Sequence, residues 1–308
     1  DCGKHTLSCT VSDGLWTIRS QIWAVSVKTV LYVDGAAGLD ANSGLDPAHA
    51  LKTIQAAVDT AADGDSVIVA DGVYAPVSSA TGAAFTIESV NGADFTIIDG
   101  GNTDRCFTAC DTNGTIGQDV VLRGFTLRNG NADQSLIYTS FGGGALGGTL
   151  SDCVLMNNYA GLGGGGAYES RLAGCVVRGN RTDTGLDSRG GGILDCFAER
   201  TRIEGNTSAE DAGVSGGQAL SCIIWNNSAK AGGGAGNNTG LINCTIVGNA
   251  AVTNAGVGEC YVHNSIIWGN TNSAGRVLNY THAYTVVSTD GDSVTTNKLG
   301  TVPDSCCT

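Results

Sequence analysis

The 308-residue chain contains three Pro, one Met and four His, and aromatic residues make up 6% of it. The scarcity of Pro excludes a collagen-like repeat, although the 47 Gly are about twice the usual share. The four His, at positions 5, 49, 263 and 282, are scattered, which disfavours a His-based metal site or catalytic triad. No segment approaches the ~20 consecutive apolar residues that a membrane-spanning helix needs.

Positive charge is also scarce. Sixteen Lys and Arg stand against 29 Asp and Glu, which gives a formal net charge of −13. Nucleic acids and anionic membrane surfaces both require a basic face, so this balance disfavours either partner. The 42% of hydrophobic residues is too high for a disordered chain and predicts a folded core.

The chain is rich in cysteine, with 12 Cys in 308 residues. It begins with Asp rather than Met, so we expect that a leader has been removed and that the protein is secreted or on the cell surface. Six cysteines outside the repeat described below are candidates for disulfides: Cys2, Cys9, Cys106, Cys110, Cys306 and Cys307. Cys106 and Cys110 are close enough for a local bond, whereas the terminal pairs could instead link successive molecules.

A six-residue motif recurs through the second half of the chain. Each copy begins with a small residue, continues with aliphatic residues and ends in Asn, and successive copies begin 22, 26, 21, 22 and 21 residues apart. The first positions are Cys153, Cys175, Thr201, Cys222, Cys244 and Ser265, and the last are Asn158, Asn180, Asn206, Asn227, Asn249 and Asn270. Glycine runs separate the copies, as at 142–144, 163–166, 190–192 and 232–234.

This repeat predicts a coil of short strands. The apolar runs are bounded by Gly and Asn, as strands are, and no helical periodicity lies between them. A unit of this length, with two or three strands per turn stacked at ~4.8 Å, is typical of a parallel β-helix, here of about ten turns. We expect the first positions to form an inward column of small, reduced side chains. The Asn residues would stack at a left-handed corner, and the Gly runs would form another.

Several further segments strengthen this assignment. They are 31–34 (LYVD), 51–58 (LKTIQAAV), 64–74 (GDSVIVADGVY), 96–100 (TIIDG) and 264–270 (NSIIWGN). With the repeats, they make the chain resemble the right-handed parallel β-helix proteins of the pectin-lyase-like superfamily, particularly secreted bacterial proteins with choice-of-anchor C-terminal regions. The resemblance implies an all-β solenoid. It specifies function poorly, because lyases, hydrolases and adhesins share this architecture.

The N-terminal part lies outside the repeat. An amphipathic segment near 48–62 predicts a helix that caps the open end of a β-helix spanning 31–308. Residues 1–30 form a separate strand-rich extension, whose apolar residues are Trp16, Ile18, Ile22, Trp23, Val25 and Val27. A spare strand there would fold back on its own chain or pair with the exposed edge of a second molecule.

Three functions remain open. The favoured one is a structural or adhesive protein that self-associates end to end into fibres, with no cofactor or metal. The second is a polysaccharide lyase or glycosidase, because lyases of this fold use acidic Ca²⁺ sites with a basic residue and hydrolases use paired carboxylates. Its candidate residues are Glu169, Asp195, Arg200, Arg202 and Glu204. The competing interpretation of this cluster is a solvated face with ion pairs.

The third function is glycan binding without catalysis. Its candidate stacking residues are Tyr159, Trp225, Tyr261 and Trp268. Trp225 and Trp268 occupy equivalent positions in two copies of the repeat, just before a corner. That placement more often indicates packing beneath a turn.

Overall fold

The computed structural model describes residues 28–111, 113–133, 140–185 and 187–273 in full. Outside these ranges it describes only the backbone of strands Lys4–Leu7, Thr10–Ser12, Thr17–Arg19, Trp23–Ser26, Val277–Thr281, Val286–Asp290 and Ser293–Thr296. Several residues that were predicted to form disulfides or an assembly strand lie outside the described residues: Cys2, Cys9, Trp16, Ile22, Val27, Cys306 and Cys307. Ile18, Trp23 and Val25 fall in strands of which only the backbone is described.

The chain winds into a parallel β-helix with three sheets. Sheet 1 contains Val30–Val33, Ser66–Val69, Thr86–Ser89, Val121–Arg123, Thr149–Ser151, Arg171–Ala173, Phe197–Glu199, Gln218–Leu220, Gly240–Ile242 and Tyr261–His263. Sheet 2 contains Gly72–Tyr74, Thr96–Asp99, Thr126–Arg128, Val154–Met156, Val176–Arg178, Arg202–Glu204, Ile223–Trp225, Thr245–Val247 and Ile266–Asn272, with a second row of Asn131–Ala132, Tyr159–Ala160, Arg181–Thr182, Thr207–Glu210, Ser228–Ala231 and Ala250–Ala251. Sheet 3 contains Val77–Ser79, Phe107–Ala109, Ala145–Leu146, Ala167–Tyr168, Ile193–Leu194, Val214–Ser215 and Ala235–Gly236.

The predicted column of small residues is confirmed by strand register. Val154 pairs with Val176, and the following strands continue in step through Arg202, Ile223, Thr245 and Ile266. The residue before each of these is the first position of its repeat, so all six lie in one column. Every member is at most 2% exposed: Cys153, Cys175, Thr201, Cys222, Cys244 and Ser265. The column therefore fills the core with small side chains, as the spacing predicts.

The six repeat Asn residues form a continuous internal ladder. The Oδ1 atom of Asn206 accepts hydrogen bonds from the backbone N–H and Nδ2 of Asn180, at 2.9 and 3.1 Å. Asn206 then donates to Oδ1 of Asn227 in the same way, at 3.0 and 2.9 Å. All six side chains are at most 1% exposed. Such a ladder satisfies buried polar groups that would otherwise destabilise the core.

The expected left-handed conformation of these Asn residues is wrong. Positive φ instead occurs at the residue before each ladder Asn, for example 56° at Asn157, 62° at Gly179 and 54° at Asn226. That residue turns the chain sharply, which directs the following Asn side chain inward, where a ladder can form.

The glycine runs pack against the next turn of the coil. A Cβ placed on Gly192 would stand 2.5 Å from the carbonyl oxygen of Gly213, and one on Gly143 would stand 2.1 Å from that of Tyr159. Each run also contains a left-handed position, such as Gly190 with φ of 61°. The runs therefore form a corner, as predicted, and they also allow close approach of successive backbones.

The cap is shorter than the predicted helix. A 3₁₀ turn spans Pro47–His49 and an α-helix spans Ile54–Val58, which packs against the first strands of sheets 1 and 3. Thr53 caps this helix by accepting a hydrogen bond from the Ala56 N–H at 3.2 Å. Ile54, Ala57 and Val58 are buried. None of the described helices has the length and apolar character needed to cross a membrane.

The strands outside the coil pair with their own chain. Lys4–Leu7 pairs with Trp23–Ser26, and Thr10–Ser12 pairs with Thr17–Arg19, both antiparallel. At the other end, Val277–Thr281 adds to the edge of Ile266–Asn272 in antiparallel orientation.

The described cysteines are all free: Cys106, Cys110, Cys153, Cys175, Cys196, Cys222, Cys244 and Cys260. The predicted Cys106–Cys110 bond is therefore not formed. Cys106 is fully buried, with its Sγ 3.2 Å from the carbonyl oxygen of Arg128, whereas Cys110 is partly exposed beyond the end of its strand. The extended strand Phe107–Ala109 between them holds the two Cα atoms about 13 Å apart, which is too far for a disulfide.

Candidate functional site

The five residues of the predicted catalytic cluster lie in three different places around the coil. Glu169 and Asp195 occupy the same corner on successive turns, directly after the paired strands Ala167–Tyr168 and Ile193–Leu194. Both have left-handed backbones, with φ of 46° and 49°. Burial and the nearby charge of Glu169 raise the pKa of Asp195. Two carboxylates are thus close together at this corner, and neither of the predicted basic residues, Arg200 and Arg202, lies there.

Arg200, Arg202 and Glu204 lie elsewhere. Arg200 is at the corner that follows sheet 1, and its guanidinium contacts Glu199 at 2.6 Å. Arg202 and Glu204 both point outward from one strand of sheet 2 and form an ion pair at 3.1 Å. The cluster is thus not one catalytic group, because its members occupy separate corners and faces of each turn.

Metal binding finds no support in the described part of the chain. No three His, Cys, Asp or Glu side chains converge there as a metal-binding group. The paired Glu169 and Asp195 lack a third ligand of this kind.

An open cleft of about 410 Å³ lies beside the second row of sheet 2. Its charged lining residues are Asp187, Glu210 and Lys230. The Nζ of Lys230 donates to the carbonyl oxygen of Thr184 at 2.5 Å, and Glu210 pairs with Arg189 at 2.8 Å. Lys230 and Glu210 are thus already engaged with the protein, and none of the predicted catalytic residues lines the cleft.

The most distinctive surface is an apolar strip on sheet 2. It consists of the outward side chains of three successive strands, Ile223, Trp225, Thr245, Val247, Ile266 and Trp268, and is called the aromatic strip below. Trp225 is 41% exposed and Trp268 is 43% exposed, and the two Ile are each 47% exposed. The expectation that the two Trp pack beneath a turn is therefore wrong. Both indoles lie on the outer surface as part of a contiguous apolar patch, and such patches, unlike single exposed apolar residues, mark interaction sites.

Strand register sets the distance between the two indoles. Trp225 is opposite Val247, which in turn is opposite Trp268. The Trp residues are thus two strand spacings apart, about 10 Å along the β-helix axis. The two indoles are therefore on the same face of the sheet, with the side chain of Val247 between them.

One edge of the strip carries amide groups. Asn243 and Asn264 are exposed at the corner before the strip, with left-handed φ of 55° and 46°. Asn264 Nδ2 donates to Asn243 Oδ1 at 2.6 Å. An apolar platform with aromatic rings and an amide border can recognise a ligand that has apolar faces and polar edges.

Sequence reasoning missed a buried acid, Asp211. It occupies the left-handed corner position that holds Gly190 and Gly232 on the adjacent turns. Its side chain lies against Gly236 and accepts a hydrogen bond from Ser215 at 2.9 Å. Burial raises the pKa of Asp211 to about 7. The sequence contained one sign of this acid, because Asp211 stands where the glycine runs of the two adjacent turns have Gly.

Comparisons with known proteins bear on the fold. No protein-family model matches the chain. No curated protein sequence matches it either. Among solved structures, pectate lyase Pel9A superimposes with a TM-score of 0.52 at 13% identity, over 78% of this chain and 70% of that one. A pectin methylesterase from carrot aligns with a TM-score of 0.37 at 12% identity, over 76% of this chain and 87% of that one. Together with the three-sheet coil, the likeness to the pectate lyase shows that this chain has the pectin-lyase-like parallel β-helix fold.

Proposed function

We propose that this protein binds polysaccharide through the aromatic strip without cleaving it. The observation that carries the proposal is the pair Trp225 and Trp268, which are both exposed and in register on a flat sheet face. A sugar ring presents an apolar C–H face and a polar rim of hydroxyls. An indole matches the first by stacking, and the nearby amides match the second by hydrogen bonding.

The arrangement of acidic and basic residues supports binding over catalysis. The Glu204 carboxylate is engaged by both Arg202 and Trp225. Glu169 and Asp195 lie at a corner of sheet 3, whereas the strip lies on sheet 2. A polysaccharide ligand also suits a fold that is shared with a pectate lyase. That likeness supports the fold alone, so the strip has to carry the proposal.

The test is calorimetric titration of the protein with soluble polysaccharides, both neutral and acidic. Trp225→Ala and Trp268→Ala should each weaken binding by about fivefold, since stacking on one ring contributes on the order of 1 kcal/mol. Phe95→Ala is the matched control, because Phe95 is an aromatic residue that is 57% exposed outside the strip. Failure of every polysaccharide to bind would contradict the proposal, as would unchanged affinity in both Trp variants.

Self-association stays a prediction alongside this proposal. The edges that a fibre would use are paired within the chain at Thr17–Arg19, Trp23–Ser26 and Ile266–Asn272. Sedimentation velocity of the full chain and of a variant lacking residues 1–27 tests it. This deletion keeps Val30–Val33, which belongs to the first turn of the coil. Assemblies that disappear on deletion would support donor-strand pairing, and a monomeric full chain would exclude it.

A further inference from the structure

We infer that the aromatic strip takes an uncharged, extended polysaccharide in which alternate rings present the same face, lying parallel to the β-helix axis. This inference rests on the proposed function and specifies its ligand class. It depends on three features of the strip: the spacing of the indoles, the charges around them and the amides at the border.

The spacing of the two indoles favours a straight glycan in which every second ring repeats the same orientation. The two indoles are separated by one intervening strand, which places them about 10 Å apart along the axis. In an extended β-1,4-linked glycan, rings are rotated by about half a turn from one to the next, so that rings one and three repeat the same orientation. Those two rings can stack on Trp225 and Trp268, while the middle ring lies over Val247. A coiled or branched glycan would not keep both contacts.

The direction of the chain follows from the same geometry. Trp225, Val247 and Trp268 form a row that crosses the strands rather than following one of them. Successive sugars therefore lie on successive turns of the coil. Ile223, Thr245 and Ile266 form a parallel row beside it, which widens the platform to about the width of one sugar ring.

The charges on the strip itself disfavour a polyuronate as the preferred ligand. Between residues 212 and 273, the sequence contains only Lys230 and Glu259 as formally charged side chains. Lys230 lies in the second row of sheet 2 and donates to the Thr184 carbonyl. On the strand that pairs with Ile223–Trp225 at one end of the strip, the charge of Arg202 is balanced by Glu204. A ligand with one carboxylate per ring would therefore meet no unbalanced cation on the strip, on a protein with a net charge of −13.

The border amides suit hydroxyl groups. Asn243 and Asn264 lie on successive turns, so their amides repeat along the same axis as the Trp row. Each amide has donor and acceptor positions beyond the one hydrogen bond that joins the pair. Equatorial hydroxyls project from the edges of a stacked ring, toward such a border.

The experiment is a titration of the full chain with cellobiose, cellohexaose and hexagalacturonate, in wild type and in Trp225→Ala, Trp268→Ala and Phe95→Ala. Cellohexaose should bind at least about fivefold more tightly than cellobiose, because only the longer ligand reaches both indoles. Either Trp variant should lower the affinity for cellohexaose to near that for cellobiose, and Phe95→Ala should change neither. Thermal melts of the variants check that each is folded.

The outcomes separate this inference from the proposed function. If hexagalacturonate binds more tightly than cellohexaose and loses affinity in the Trp variants, the strip binds glycan but the uncharged ligand class is wrong. If cellobiose and cellohexaose bind equally and only one Trp variant matters, bridging of the two indoles is wrong. If no oligosaccharide binds the folded wild type, the proposed function fails and this inference with it.

Discussion

The Glu204 carboxylate accepts a hydrogen bond from the indole Nε1–H of Trp225, with Oε2 and Nε1 2.5 Å apart. The two residues are 21 positions apart in the sequence and lie opposite each other on adjacent strands. Glu204 therefore acts as a positioning residue that fixes the orientation of the Trp225 indole. A ring held in one orientation loses less conformational freedom when a ligand stacks on it.

Removal of this contact should weaken glycan binding without unfolding the protein. Glu204→Ala frees the Trp225 indole, so we expect the affinity for cellohexaose to fall by about threefold to tenfold. Glu204→Gln keeps an acceptor oxygen and should restore most of the affinity. Calorimetry gives the affinity, and tryptophan fluorescence anisotropy reports the mobility of the ring. Equal loss in the Gln and Ala variants would show that charge, not the orientation of Trp225, matters here.

Asp211 should make the free energy of unfolding depend on pH. Its pKa is raised by burial from 3.8 to about 7, so the folded state favours the protonated form. The charges around it are Arg189, which lowers its pKa, and Glu210 and Glu259, which raise it. The stability that comes from this proton is present below pH 4 and is lost as the pH rises through about 7.

Asp211→Asn should therefore stabilise the protein by about 1–3 kcal/mol at pH 8 and change little at pH 4. The chain already accommodates Asn at this corner, because Asn254 occupies it with φ of 54°. Urea unfolding at the two pH values measures the difference. Asp187→Asn removes the same charge from an exposed site and controls for net charge. A stabilisation that is equal at both pH values would contradict the account.

The Asn ladder should contribute strongly to stability. Asn227→Ala removes the acceptor for two hydrogen bonds from Asn206 and leaves the Ile203 carbonyl without its Nδ2 donor. Because these groups are buried, we expect a loss of about 3 kcal/mol or more in urea unfolding. Asn226→Gly is the adjacent control, since Gly205 and Gly248 occupy the same corner on neighbouring turns. Equal losses of stability in Asn227→Ala and Asn226→Gly would show that the ladder hydrogen bonds are not the cause.

The last position of each glycine run should tolerate no side chain, and Gly213 holds this position on its own turn, between Gly192 and Gly234. In Gly213→Ala, the added methyl would overlap the Gly234 carbonyl, so the backbones of two turns would have to separate. We expect a loss of about 2 kcal/mol or more in the free energy of unfolding. Gly205→Ala adds its methyl where no atom lies within 4 Å and should cost only about 1 kcal/mol, from its positive φ. A smaller loss for Gly213→Ala than for Gly205→Ala would contradict close packing of the turns.

The columns of the coil could be predicted from the sequence because their period is set by the backbone. A residue such as Cys175 has to lie over Cys153 once the strands pair in register. The outward direction of Trp225 follows from the same pattern, because side chains alternate along a strand: with Cys222 and Ile224 buried, Trp225 faces outward.

The predicted catalytic cluster, in contrast, failed. Residues that are close in sequence, such as Glu199 and Arg202, lie on different sheets, because each turn bends between them at Arg200. The raised pKa of Asp211 also could not be predicted from the sequence. It depends on Ser215 and Gly236, which surround the carboxyl only after two turns have stacked.

The most direct test of the account is a crystal structure of the protein grown with cellohexaose. We predict density for sugar rings stacked on Trp225 and on Trp268, with a third ring between them over Val247 and the glycan parallel to the β-helix axis. Cellohexaose bound elsewhere, with the aromatic strip unoccupied, would contradict the account.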